Sequence, residues 1–164
     1  MTLLTPGERF PALTLNLTDG DTIELPDATA GSYGVVLFYR GSWCPYCNAQ
    51  LRAFQRAQER LARVGARVVA VSVDDEHTTK ALIATHGLEF PVAHGADAET
   101  VADATGAFIN QEPRYLHSTG FVLDSDGRVV VSVYSSGAIG RLVPDDVIGL
   151  IGYLREHTAT AAAA

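Results

Sequence analysis

Cys44 and Cys47 are the only cysteines in the 164-residue chain, and they stand three residues apart in Trp43-Cys44-Pro45-Tyr46-Cys47. On a helix this spacing brings two sulfurs to one face, within reach of a disulfide. The ring so closed is too small to staple distant loops. The pair therefore points to chemistry, or to half of a metal site, and not to a disulfide scaffold. A short apolar run, Tyr33–Tyr39, ends just before a loop, and Pro45 suits the first position of a helix. Cys44 then falls at the N-cap and Cys47 at the third helical position. Orphan backbone N–H groups and the positive end of the helix dipole both stabilise a thiolate there. Cys47, Leu51, Phe54 and Leu61 share a helical phase, so Cys47 is expected to face the core and Cys44 to be the more accessible sulfur. Gln50, Arg52, Arg56, Glu59, Arg60 and Arg63 are expected to lie mostly off that face.

Other residues belong to the same candidate site. Trp43 and Tyr46 are expected on its rim, Pro45 opens the helix, and His117 is a candidate proton carrier or simply a strand-end histidine. Zinc would need four ligands, and the chain has no second C-x-x-C and no H-x-x-x-H pair among His77, His86, His94, His117 and His157. No metal and no cofactor is assigned.

The elements that must hold these residues follow from period and punctuation. Leu13–Leu17 and Thr22–Leu25 read as a hairpin around Thr18-Asp19-Gly20-Asp21. The helix opening at Pro45 is closed by Gly65, and Arg67–Val73 is a second buried strand. Asp74–His86 is predicted helical with Asp74 or Asp75 as cap and Gly87 at its end, followed by a short apolar piece, Phe90–Ala93. A brief helix at Ala98–Thr105 takes Asp97 as cap. His117–Leu123 and Arg128–Tyr134 flank the turn Asp124-Ser125-Asp126-Gly127. A last helix starts at Pro144. The order β-β-β-α-β-α-β-α-β-β-α implies a sheet with helices on both faces, the early strand–helix–strand unit parallel and the late hairpin antiparallel. One domain over residues 1–157 is expected, with Thr158–Ala164 a disordered tail.

Composition narrows the class. With 47% hydrophobic and 19% charged residues the chain is neither disordered nor fibrous. Acidic residues outnumber basic ones 19 to 12, a net charge of −7, which argues against nucleic acid and against an anionic membrane surface as partners. The opening residues lack a basic, then apolar, leader pattern, and no apolar run approaches the roughly 20 residues that a bilayer requires. A cytoplasmic location is the expectation.

Several segments resemble the AhpC/TSA group, the peroxiredoxin-like branch of the thioredoxin fold. They are Gly7-Glu8-Arg9-Phe10-Pro11 with the Asp19-Gly20 hairpin, and Thr119-Gly120-Phe121-Val122-Leu123-Asp124 with Gly127. The resemblance implies an α/β, thioredoxin-like fold of peroxiredoxin type: a central mixed sheet flanked by helices, with an N-terminal β-hairpin. Counting from Phe38-Tyr39, Cys47 falls on that family's peroxidatic cysteine and Cys44 on its threonine. Arg40 replaces a proline, and Ser118 stands where the family's late arginine is expected. Trp43-Cys44-Pro45-Tyr46-Cys47 is at the same time similar to the W-C-x-x-C of thioredoxin-like reductases, in which the first cysteine attacks. Ser118 falls where those proteins carry a cis-proline.

These features describe a thiol oxidoreductase that cycles Cys44 and Cys47 between dithiol and disulfide. Its substrate is a hydroperoxide or a disulfide, and its reductant thioredoxin or a low-molecular-weight thiol. As a reductase Cys44 attacks and Cys47 resolves; as a peroxidase Cys47 is oxidised and Cys44 resolves. The alternative is a non-enzymatic thioredoxin-fold binding module with an inert or metal-holding cysteine pair. The oligomeric state stays open, a homodimer included.

Overall fold

The apolar runs and their punctuation resolve into fourteen elements in the computed structural model, which describes residues 2–163, with side chains through Thr158. In chain order they are β1 (Leu13–Leu17), β2 (Thr22–Leu25), β3 (Tyr33–Phe38), α1 (Pro45–Arg56), α2 (Gln58–Arg63), β4 (Ala66–Val71) and α3 (Glu76–His86). Then come β5 (Val92–His94), α4 (Ala98–Thr105), β6 (Ile109–Asn110), β7 (Tyr115–Leu116), β8 (Thr119–Leu123), β9 (Val129–Tyr134) and α5 (Pro144–Ala163). Seven strands form one mixed sheet in the order β2-β1-β5-β4-β3-β8-β9, while β6 and β7 pair separately. β3 runs parallel to β4 with Val35 opposite Val68, and antiparallel to β8 with Val36 opposite Phe121. The β8–β9 hairpin is antiparallel, as its turn requires. Asp124 Oδ1 accepts the N–H groups of Asp126 and Arg128 across that turn, and Gly127 takes the positive φ of 80°.

Side chains on β3 alternate between the two faces, as strand geometry demands. Val35 and Leu37 pack with Leu51, Phe54 and Leu61 of α1 and α2 and with Val147 and Ile151 of α5. Val36 and Phe38 pack on the opposite face with Phe10, Val101 of α4, Leu116 and Phe121. This double burial explains why the strand reads as an unbroken apolar run.

Several boundaries differ from the sequence expectation. The first long helix breaks at Ala57 into α1 and α2. β4 stops at Val71, because Ser72 Oγ turns back to accept Asp74 N–H. Asp75, one of the two caps expected, caps α3 by accepting Thr78 N–H at 2.7 Å, so the helix starts at Glu76 and not at Asp74. Residues 109–116 form the small β6–β7 hairpin, which had no periodic signal because each strand is two residues long. Gln50, expected off the core face, is buried instead. Its Nε2 donates to Leu142 O at 2.9 Å and ties α1 to the loop before α5. α5 runs on through Ala163, into the segment expected as a tail. Ala164 and the side chains from Ala159 onward lie outside the described residues.

Candidate active site

The cysteines sit where strand turns into helix. Cys44 has the extended backbone of an N-cap (φ −88°, ψ 113°), and its Sγ accepts the N–H of Cys47 at 3.3 Å. Pro45 occupies the first helical position, where its missing N–H costs nothing. The loop before the helix is braced from two sides: Ser42 N–H donates to Asp74 Oδ2 at 2.7 Å, and Asn48 Nδ2 donates to Ser42 O at 2.9 Å. Burial raises the Asp74 carboxyl above its ordinary range, and the Ser42 N–H partly offsets that.

Both cysteines are free thiols with 0% exposure. Cys47 points into the core, in phase with Leu51 and Phe54 as expected. The greater accessibility expected for Cys44 is not found. Arg40, whose type alone suggests a solvated loop residue, lies across it. The Arg40 guanidinium stands 4.8 Å from the Trp43 ring centroid and 5.2 Å from that of Tyr115. Its Nη1 donates to Cys44 Sγ at 3.7 Å and its Nη2 to Tyr115 Oη at 3.0 Å. Trp43 and Tyr46 are 53% and 51% exposed and form the rim, as expected.

Cys47 has its own donors. Arg40 N–H reaches its Sγ at 3.3 Å, and Arg141 Nη2, from the loop between β9 and α5, reaches it at 3.4 Å. The Arg141 guanidinium also lies 5.9 Å from the Tyr46 ring. Arg141 and Tyr115 escape sequence reasoning. Arg141 is 94 residues from its partner Cys47 and Tyr115 is 75 from its partner Arg40, and no local motif marks either. The only available signal was the missing family arginine at Ser118, which left a charge to be supplied from elsewhere. Ser118 itself is buried, its carbonyl accepting Ser135 N–H, and no hydrogen bond joins it to either sulfur among the described residues.

The two thiols are electrostatically unequal. Burial alone would raise the Cys44 thiol, but the hydrogen bonds from the Cys47 thiol, from Cys47 N–H and from Arg40 outweigh it and hold Cys44 below its ordinary value. Burial pushes Cys47 up to about 11, and its hydrogen bond to Cys44 favours its protonated form further. The two shifts run in opposite directions, so Cys44 is the more easily ionised sulfur and Cys47 the one that keeps its proton. His117 stands beside this arrangement without touching a sulfur, its ring 5.6 Å from that of Tyr115. Burial, with repulsion from Arg40, lowers its pKa and keeps it neutral near pH 7. Among the described residues, no group of three or more His, Cys, Asp or Glu side chains is placed to hold a metal ion.

A shallow, mainly apolar groove of about 480 Å³ opens beside Arg141, lined by Tyr46, Ala49, Ile139, Leu142 and Val143.

Residues 6–132 match the AhpC/TSA family. A peroxiredoxin-type protein of Mycobacterium tuberculosis is 33% identical over 148 residues, covering 86% of this chain and 92% of that protein. The thiol-disulfide oxidoreductase ResA of Bacillus thuringiensis is 26% identical over 154 residues, covering 93% of this chain and 78% of its own length. In fold, the crystal structure of the peroxidoxin BcpB of M. tuberculosis superposes with a TM-score of 0.78 at 19% identity, covering 92% of this chain and 97% of that one.

Proposed function

Since the chain belongs to the AhpC/TSA family and is a thiol-dependent oxidoreductase, we propose that it reduces hydroperoxides with Cys44 as the attacking thiolate and Cys47 as the resolving thiol. One observation carries this reading: Cys44 Sγ sits at a helix N-terminus, accepts from Cys47 N–H and Arg40, and is held below its ordinary pKa while Cys47 is pushed up to about 11.

The chemistry follows from these positions. Cys44 thiolate attacks the terminal oxygen of the hydroperoxide, and the O–O bond breaks. The second oxygen leaves as alkoxide and is protonated to the alcohol, while Cys44 becomes a sulfenic acid. Arg40, already donating to Cys44, is within reach of the oxygens as negative charge passes to the leaving group. The Cys47 sulfur then attacks Cys44, its proton joins the departing hydroxide, and water leaves as the disulfide forms. Two equivalents of an external thiol restore the dithiol. The groove beside Arg141 is suited to the organic part of a hydroperoxide. The cycle belongs in a reducing compartment such as the cytoplasm, where thiol is in excess.

A second reading has Cys47 attack first. It is favoured by the two donors on its Sγ, Arg40 N–H and Arg141 Nη2. Stopped-flow oxidation by hydrogen peroxide, with the sulfenic acid trapped and located by mass, separates the two. On our reading Cys47→Ser keeps a single peroxide turnover at Cys44 and Cys44→Ser loses it. The reverse pattern assigns the attack to Cys47. Rates no faster than those of an ordinary free thiol in both variants remove peroxide as the substrate and leave disulfide reduction, to be tested on a disulfide substrate with the same pair.

A further inference from the structure

Arg40 and Arg141 reach the sulfurs from two different loops, one before α1 and the other before α5. The chain carries a net charge of −7, yet no ion pair joins either arginine to a carboxylate among the described residues. In the dithiol the two guanidiniums are turned to the sulfurs, and the counter-charge available to them there is that of Cys44 when it ionises. Arg40 Nη1 lies 3.7 Å from it, and Arg141 Nη2 lies 3.4 Å from the neighbouring Cys47 Sγ. A disulfide is neutral and its sulfurs are weak acceptors. Oxidation therefore removes the only ionisable acceptors these contacts supply and leaves two guanidiniums flanking the S–S bond. Their other acceptors are neutral: Tyr115 Oη for Arg40, and Ala138 O for Arg141. The Nε of each is buried with no acceptor even in the dithiol. An anion brought to the oxidised site would supply the counter-charge that no carboxylate there provides.

We infer that the reductant of the oxidised enzyme is a small thiol bearing a carboxylate, drawn in by Arg40 and Arg141. The inference rests on the dithiol–disulfide cycle proposed above and names its reducing partner. A small molecule is favoured over a protein dithiol because both sulfurs are fully buried, with Arg40 on Cys44 and its guanidinium held against Trp43 and Tyr115. A thiol presented on a protein surface has to reach past that cover. The reaction balances in two exchanges. The first reductant thiolate attacks Cys44, forming a mixed disulfide and expelling Cys47, which takes up a proton. A second reductant thiolate attacks the reductant's own sulfur in that mixed disulfide, releasing the symmetrical disulfide and Cys44 thiolate. Two electrons come from two thiols, and one proton is released to solvent.

The test uses the full chain, oxidised with peroxide, its disulfide verified by a mass loss of two hydrogens. Reduction is followed with 3-mercaptopropionate (anionic), 2-mercaptoethanol (neutral) and cysteamine (cationic), with rates corrected for each thiol's own pKa. At about 0.01 M ionic strength the anionic thiol should outpace the neutral one by about tenfold, with the cationic one slowest. The spread should shrink at about 0.1 M, where the Debye length falls from about 30 to about 10 Å. Arg141→Gln should lose most of the spread and Arg141→Lys should keep it. The wild-type salt dependence tests the idea even if a variant folds poorly. Equal corrected rates for the three thiols, or a thioredoxin that reduces the site with no charge ranking among small thiols, overturn the inference and leave the cycle intact. If no disulfide is detected by mass, the cycle and the inference fall together.

Discussion

Replacing Arg40 with Met should make Cys44 a worse nucleophile at low pH and a better one at high pH, and the size of both effects can be worked out. The guanidinium stands 3.7 Å from Cys44 Sγ. A unit charge pair at that separation is worth about 4 kcal/mol at an effective dielectric of 20, which is an upper bound. Arg40 is only half-buried and the contact is long, so the relevant figure is the low end of the roughly 1.5–3 kcal/mol measured for hydrogen bonds to charged groups. About 1.4 kcal/mol corresponds to about a tenfold loss of thiolate below the titration midpoint. The thiolate that does form is more basic and therefore more nucleophilic. With a Brønsted coefficient of about 0.45, it gains about threefold. The net alkylation rate should then fall about threefold well below the midpoint and rise about threefold well above it. The experiment is a pH profile of iodoacetamide alkylation in a Cys47→Ser background, where Cys44 is the only thiol and the serine hydroxyl still offers a donor. Thiolate absorbance in the ultraviolet gives an independent midpoint. Profiles of Arg40→Met and Arg40 proteins that superimpose, or that run parallel without crossing, would refute the assignment of Arg40 to the Cys44 thiolate.

Three further outcomes test other parts of the structure. A Cβ at Gly41 would collide with the Trp43 indole, so Gly41→Ala should displace Trp43. The emission of this sole tryptophan should shift, and the Cys44 midpoint should rise as Arg40 loses one ring of its sandwich. Leu51 is fully buried on the inward face of α1 beside Cys47, and Leu51→Ala should cost about 2–5 kcal/mol in urea unfolding by opening a cavity. His117 has a lowered pKa in the folded chain, chiefly through burial and then through Arg40. The unfolded chain therefore takes up that proton at higher pH, so stability falls as pH drops through the ordinary histidine range. In His117→Gln the slope of the urea midpoint between about pH 7 and pH 5 should be shallower than in the wild type.

Most of the scaffold was legible because each element has a local cause. The two-faced burial of β3 shows as an uninterrupted apolar run. Asp97 and Asp75 mark helix starts by accepting N–H groups within their own first turns. Pro45 places Cys44 at the cap and Cys47 one turn in. What escaped was either too short to have a period, as in β6 and β7, or set by contacts distant in sequence. Gln50 looked like a surface residue on a helical wheel, but the Leu142 carbonyl buries it.

The same division runs through the site. The sequence alone determined that two thiols share a helix N-terminus and that their phases differ, because helix geometry converts three residues of separation into a direction. It could not determine which thiol ionises. That depends on charges and burial within a few ångströms, and those come from Arg40 folded back over Cys44, Tyr115 on a two-residue strand, and Arg141 from the loop before α5. Coulomb energy falls with distance in space and takes no account of distance along the chain. The tertiary fold therefore made Cys44 the more easily ionised sulfur and covered it at the same time.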